Sequence, residues 1–191
     1  MSKQSELQLE NNLISQLLDL GYQKVTVSDG DALLSNLKSQ LEKFNQLTFS
    51  EREFETILNH LEKGNVFEKS KTLRGRFQFL NDKGEASYIR FFNSEVWSDN
   101  LFQVTNQITQ EGTYKNRYDV TLLVNGLPLV QIELKRRGLE IKEAFNQINR
   151  YQRHTFWSNR GLFQYVQLFI ISNGVNTKYL ANNALQSVKQ T

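Results

Sequence analysis

At 191 residues the chain has the size of one domain, too short to hold a motor, a receptor or a multidomain assembly beside it. Hydrophobic residues make up 39%, and 13 Phe, 7 Tyr and 2 Trp add large burial areas, so the composition supports a packed core rather than disorder. Twenty-three Lys and Arg against 20 Asp and Glu give a net charge of +3, a mild fit to a polyanionic partner, and the lack of cysteine excludes a disulfide framework, a thiol nucleophile and thiolate zinc sites.

No cysteine also agrees with a reducing compartment, so a cytoplasmic location is expected. The opening Met1 to Glu6 has no apolar stretch of the kind a signal peptide carries. The longest apolar run, Leu168 to Ile171, is far below the roughly 18 residues a membrane span needs, so no membrane role is expected.

Ser5 with Gln8 forms a capping-box pattern, and Leu9, Leu13, Ile14, Leu17 and Leu18 follow at helical spacing to Gly21, which predicts a helix over 5–20. Lys24 to Val27 reads as a short strand. Asp31 is the expected cap of a second helix with the stripe Leu33, Leu34, Leu37, Leu41 and Phe44. Ser50 with Glu53 caps a third, carrying Phe54, Ile57, Leu58 and Leu61 to Gly64. The helical region 31–61 reads as a possible insertion at the edge of a single domain spanning 1–191.

From Arg76 the apolar period changes to two. Phe77 and Phe79, then Tyr88, Ile89 and Phe91, flank Asn81 to Gly84, which predicts a hairpin. Strands are expected over 101–109, 118–124 and 129–135, then a helix over about 140–157. Tyr165 to Ile171 reads as a strand, apolar enough to be central and covered on both faces. Helices, strands, helix, strand in that order is an α/β or α+β pattern.

Alternate side chains share a face along a strand, so Gln131, Glu133 and Lys135 project one way and Val130, Ile132 and Leu134 the other. On the preceding strand Asp119 and Thr121 oppose Val120, Leu122 and Val124. Matching polar face to polar face sets Asp119 opposite Glu133, Thr121 opposite Gln131 and Val120 opposite Ile132. A two-residue Asn125-Gly126 turn would shift that register by one, so a three-residue loop or a bulge is expected. Two facing carboxylates repel unless protonated or bound to a cation, and oxygen ligands suit Mg²⁺ or Mn²⁺. With Lys135 beside them to balance phosphoryl charge, the set describes metal-assisted phosphodiester hydrolysis.

The segment resembles the PD-(D/E)xK nucleases, with Asp119 at the Asp position, Glu133-Leu134-Lys135 at the (D/E)xK position and Tyr118 where a proline often stands. Gln147 to Tyr151 resembles the Gln-x-x-x-Tyr motif of the RecB-like branch, and the spacing of four sets both side chains on one helical face. The wider run 141–151, with Ile170 to Gly174, is similar to the amino-terminal nuclease domain of the type I restriction enzyme R subunit (HsdR).

That resemblance implies a restriction-endonuclease-like α/β fold, a mixed sheet flanked by helices with the site at one sheet edge, in an Mg²⁺-dependent DNA endonuclease domain. Asp119, Glu133 and Lys135 would be catalytic. Asp119, Glu133, the main-chain carbonyl of Leu134 and a first-helix glutamate, Glu10 or else Glu6, would hold the metal. Gln147 and Tyr151 would position Lys135 or the DNA backbone. Arg136, Arg137 and Arg150 belong to the stretch 133–160, where seven Lys or Arg face three acids, and would contact phosphates.

It further implies an amino-terminal fragment of a larger subunit. The expected partners are double-stranded DNA, a helicase-like motor in the full-length chain, and the methyltransferase (M) and specificity (S) subunits. The sequence has no Gly-x-x-x-x-Gly-Lys-Ser/Thr, so ATP is expected only at that motor. Two other readings are a stand-alone RecB-like nuclease and a non-catalytic DNA-binding or assembly module of the same fold. His60, His154, Trp97 and Trp157 are expected in surface, packing or interface roles, and the cluster Lys71, Arg74 and Arg76 is expected to cap a loop, with contact to DNA as the alternative.

Overall fold

The computed structural model describes residues 5–111, 115–136, 145–149 and 159–182. In chain order these form α1 (Glu6–Asp19), β1 (Gln23–Lys24), α2 (Gly30–Asn45), α3 (Glu51–Glu62), α4 (Val66–Arg74), β2 (Arg76–Leu80), β3 (Ala86–Arg90) and a 3₁₀ turn at Trp97–Asp99. Then come β4 (Phe102–Glu111), β5 (Lys115–Val124), β6 (Leu127–Leu134), a helix α5 at 145–149, a 3₁₀ segment at Asn159–Tyr165, β7 (Leu168–Ser172) and β8 (Thr177–Ala181). A six-stranded mixed sheet in the order β1-β4-β5-β6-β7-β8 is flanked by helices, the restriction-endonuclease-like α/β arrangement that the sequence resembles. None of the described helices is long and apolar enough to cross a membrane.

Each sheet face buries a different set of helices. Ile14 and Leu17 of α1 meet Val104, Val120, Leu122, Ile132 and Leu134 on one side. Leu33, Leu37 and Leu41 of α2, with Ile57 and Leu61 of α3, share a larger cluster with Leu123, Leu127, Phe169 and Ile171. The region 31–61 therefore supplies fully buried side chains to the same core as the sheet. The glycine at the β5–β6 hairpin turn shows how closely α2 sits: a Cβ on Gly126 would lie 2.7 Å from the Leu37 Cα, and Gly126 has φ +85°. Only glycine satisfies both demands.

Capping chemistry sets the helix starts. Ser5, Ser50 and Asn65 each close a capping box with Gln8, Glu53 and Glu68. Ser50 Oγ accepts the Glu53 N–H at 3.2 Å while Glu53 accepts the Ser50 N–H at 2.8 Å. Ser50→Ala should cost about 1 kcal/mol, a fall in melting temperature of roughly 2–4 °C in a chain of this size. An unchanged thermal melt would show that the box contributes nothing.

Several expectations need correction. Asp29, not Asp31, caps α2: its backbone is extended and its Oδ1 accepts the Ala32 N–H at 2.9 Å, while Asp31 lies in the first turn. α4 was absent from the pattern reading, which stopped at Gly64 although Asn65 and Glu68 form a box immediately after it. Lys71 and Arg74 are thus on a helix that ends at Gly75, rather than capping a loop. The expected hairpin does form, β2 pairing β3 from Arg76↔Arg90 to Leu80↔Ala86, as a two-stranded sheet of its own. β7 begins three residues later than expected and its residues alternate between half-buried and buried, so it is not covered evenly on both faces; β8 pairs with its outer side. Trp97 is 65% exposed and packs edge-on against Phe92, while His60 stacks on Phe77 with ring centroids 3.9 Å apart. His154 and Trp157 lie outside the described residues.

The conflict between turn and face pattern is resolved by both features coexisting. Asn125 (φ 51°) and Gly126 (φ 85°) make the two-residue turn with positive φ at both positions that suits a right-twisted hairpin. Val124↔Leu127 and Leu123↔Pro128 follow its register. A bulge between Leu122 and Leu123 then moves the ladder by one, giving Leu122↔Val130, Thr121↔Gln131 and Val120↔Ile132 as the polar faces require. Asn125 spends its amide on the same corner, accepting the Leu101 N–H at 2.8 Å and donating to the Phe91 carbonyl at 3.0 Å.

Candidate active site

β5 and β6 are the third and fourth of six strands, so Asp119 and Glu133 stand on the centre of the sheet rather than at its edge. Their strands part where the two acids meet. The paired register ends at Val120↔Ile132, and beyond it the Asp119 Oδ2 accepts the Leu134 N–H at 2.8 Å. The Asp119 backbone N–H in turn opposes, weakly, the rise of the Glu133 carboxyl. Asp119 is thus tied to the backbone of the opposite strand, and Lys135 follows directly, anchored to β7 by its N–H on the Ser172 carbonyl at 2.9 Å.

Glu133 is fully buried. Its Oε1 accepts from Gln131 Nε2 at 3.1 Å, and Gln131 Oε1 accepts from Thr121 Oγ1 at 2.8 Å, so a buried chain of Thr121 and Gln131 fixes the carboxylate. Its Oε2 has no hydrogen-bond partner among the described residues. Burial first, and then the charge of Asp119, push the Glu133 carboxyl well above the usual glutamate range, against the opposing pull of Lys135 and Gln131. Asp119 is also raised, chiefly by burial, with the Leu134 N–H and Lys135 opposing and Glu10 and Glu6 adding to the rise.

A divalent cation fits this donor set. An orphaned buried carboxylate oxygen beside a second carboxylate is a costly arrangement without a counter-charge, and hard oxygen donors match Mg²⁺ or Mn²⁺. Among the described residues no three His, Cys, Asp or Glu side chains gather as a metal cluster. Two carboxylates with a backbone carbonyl, the rest of the shell being water and substrate oxygens, is how Mg²⁺ is usually held beside phosphates.

Glu10 is 3% exposed and both its oxygens are taken: Oε1 accepts from Asn106 Nδ2 at 2.5 Å and Oε2 from Gln107 Nε2 at 2.6 Å. It acts on Asp119 through its charge. Glu6 is exposed and its Oε1 accepts the Arg136 N–H at 3.1 Å, clamping α1 onto the chain just past Lys135. Asn106, Gln107 and the orienting roles of Thr121 and Gln131 were not singled out from the sequence. Gln107 has φ 60° inside β4, where the β4–β5 ladder passes from Asn106↔Val120 to Ile108↔Tyr118 over the position facing Asp119. Strained backbone of this kind concentrates at functional sites, yet no residue pattern announces it. Gln147 is half-buried on α5. Arg136 is exposed beside the site, while Arg137, Arg150 and Tyr151 lie outside the described residues.

The family model described as type I restriction enzyme R protein N terminus matches residues 3–187. The endonuclease subunit of the type I restriction enzyme SauCOLORF180P of Staphylococcus aureus (strain COL) is 44% identical over 194 residues, covering 99% of this chain and 21% of its own length. The EcoprrI endonuclease subunit of Escherichia coli is 45% identical over 188 residues, covering 95% of this chain and 60% of its own. A putative type I endonuclease subunit, MjaVIIIP of Methanocaldococcus jannaschii, is 27% identical over 189 residues, covering 87% of this chain and 17% of its own length. This chain thus spans only part of the relatives it matches.

Proposed function

Since the chain belongs to the family of type I restriction enzyme R protein N-termini, we propose that it is the metal-dependent endonuclease domain of a type I restriction-modification enzyme and cleaves double-stranded DNA. The observation that carries this reading is the orphaned, buried Glu133 Oε2 beside Asp119. Asp119, Glu133 and the Leu134 carbonyl would hold Mg²⁺ or Mn²⁺. When bound, the ion would supply Lewis acidity toward a phosphodiester and toward water.

The chain's own residues do the rest. Gln131, braced by Thr121, keeps Glu133 in one orientation, so its second oxygen stays free for a cation. Asp119 ties β5 to the Leu134 backbone, which keeps the two acids together. Lys135 sets a positive charge beside both carboxylates, placed to stabilise charge that accumulates on a phosphoryl group during attack. Arg136, with Arg137 and Arg150, would contact phosphates without reading sequence, and Gln147 with Tyr151 would position Lys135 or the DNA backbone. A first-helix acid, Glu10 or Glu6, would act on the ion through charge or water.

The proposal extends to the assembly: a helicase-like motor in the same full-length subunit, where ATP is used, and M and S subunits that choose the target. Plasmid cleavage by the full-length subunit with its partner subunits tests it. Cutting should require Mg²⁺ or Mn²⁺ and stop with a chelator, and cutting that persists without divalent ions would overturn it. Gln131→Leu keeps the volume but removes the donor to Glu133, and should lower cleavage about 10-fold, with more Mg²⁺ needed for half-maximal rate. Wild-type cleavage at every Mg²⁺ concentration would remove Gln131 from the site.

A further inference from the structure

A second cationic site stands on the hairpin sheet, apart from Asp119 and Glu133. A cleft of about 640 Å³ opens between the end of α2 and β2–β3, lined by Lys43, Asn45, Arg76, Tyr88, Arg90 and Asp99 among others. Arg76 and Arg90 are direct partners in the β2–β3 register, so two like charges face one another on the exposed side of the hairpin. Like charges in that position are destabilising. Lys43, in the last turn of α2, is a third cation on the lining. Among the described residues, no side-chain hydrogen bond or ion pair occupies any of the three.

The cleft is also built to keep its shape. Asn45 grips the hairpin at Arg90, accepting its N–H at 2.8 Å and donating to its carbonyl at 3.0 Å. The single acid on the lining, Asp99, is engaged by Asn93 Nδ2 at 3.1 Å. Tyr88, 58% exposed, shares the outward face with Arg76 and Arg90 and adds a hydroxyl and an apolar ring. Opposed like charges retained without a partner in a braced cleft call for an anion that neutralises more than one of them.

We infer that this cleft binds the phosphate backbone of duplex DNA through Lys43, Arg76 and Arg90, a docking site separate from the one that cuts. The arginine forks suit phosphate oxygens in pairs, and the three cations contact the backbone without reading bases. That the polyanion is DNA rests on the proposed function; the unneutralised cleft does not.

Binding of a duplex of about 20 base pairs to the 191-residue chain, in chelator, separates this site from cleavage. Lys43→Gln, Arg76→Gln and Arg90→Gln combined should weaken binding at least about 10-fold and lower the slope of log affinity against log salt by roughly two to three, as the loss of three phosphate contacts requires. A control with the same charge change, Lys24→Gln, Arg52→Gln and Lys63→Gln, should leave the slope unchanged. Removing opposed like charges should keep the melting temperature at or above that of the wild type. An unchanged slope, an equal loss in the control, or loss of ATP or pyrophosphate binding with duplex binding intact would overturn the inference. A chain that binds through this cleft yet never cleaves would reject the nuclease reading alone.

Discussion

Asp119→Ala, Glu133→Ala and Lys135→Ala, each placed in the full-length subunit and assayed with its partner subunits on plasmid DNA, should each lower Mg²⁺-dependent cleavage by at least about 100-fold. ATP hydrolysis by the proposed motor of the full-length subunit should continue in all three. The expected size follows from position: each substitution alters one small, largely buried cluster in which Asp119 and Lys135 act on the Glu133 carboxyl and Lys135 on Asp119. Losses in such a unit do not add, so the triple variant should be little worse than the worst single one. Asp119 is held by the Leu134 N–H and Glu133 by the Gln131 side chain, and neither belongs to the apolar clusters, so the variants should fold. Wild-type cutting by all three would reject the site, and loss of folding in the Ala variants would be resolved by Asp119→Asn and Glu133→Gln, which keep the shapes.

Glu133→Gln should make the metal-free protein more stable, by roughly 2 kcal/mol at neutral pH, which is about 4–8 °C of melting temperature in a chain of this size. Burial and Asp119 raise the Glu133 carboxyl, and burial raises Asp119. Above about pH 4.3, where an unfolded glutamate ionises, the native state therefore holds more protons than the unfolded one, and stability falls as pH rises until the native carboxyls have also ionised. The metal-free wild type should thus melt at progressively lower temperature as pH rises through that interval, with a shallower slope in Glu133→Gln. Mg²⁺ or Mn²⁺ should raise the wild-type melting temperature most at the higher pH and leave the variant nearly unchanged. A wild-type melting temperature that rises with pH in the absence of metal would contradict the buried, unneutralised acid.

Much of this was legible in the residues. The alternation on Tyr118 to Val124 and Leu129 to Lys135 fixed which faces meet, because a one-residue slip costs a buried apolar face, and the ladder from Val120↔Ile132 to Leu122↔Val130 obeys it. The capping boxes at Ser5 and Ser50 placed two helix starts for an equally local reason. What escaped depends on distant contacts. Nothing near Glu10 announces that Asn106 and Gln107, some ninety-six residues later, will hold both its oxygens. Tyr165 to Gln167 has strand composition, but Tyr165 closes a 3₁₀ segment and its hydroxyl donates to the Leu61 carbonyl at 2.9 Å, a tertiary contact that outweighs local propensity. β8 is short, and three of its five residues are polar or small, so only its pairing with β7 defines it. Arg76 was read with Lys71 and Arg74 from sequence proximity, whereas in the fold it stands opposite Arg90.

Calorimetric titration of Mn²⁺ into the metal-free chain at neutral pH probes the central idea most directly, that Asp119 and Glu133 form one cation site. Wild type should bind the ion, and Asp119→Ala and Glu133→Ala should each bind it at least about 10-fold more weakly. No binding by the wild type, or equal binding by all three proteins, would contradict it.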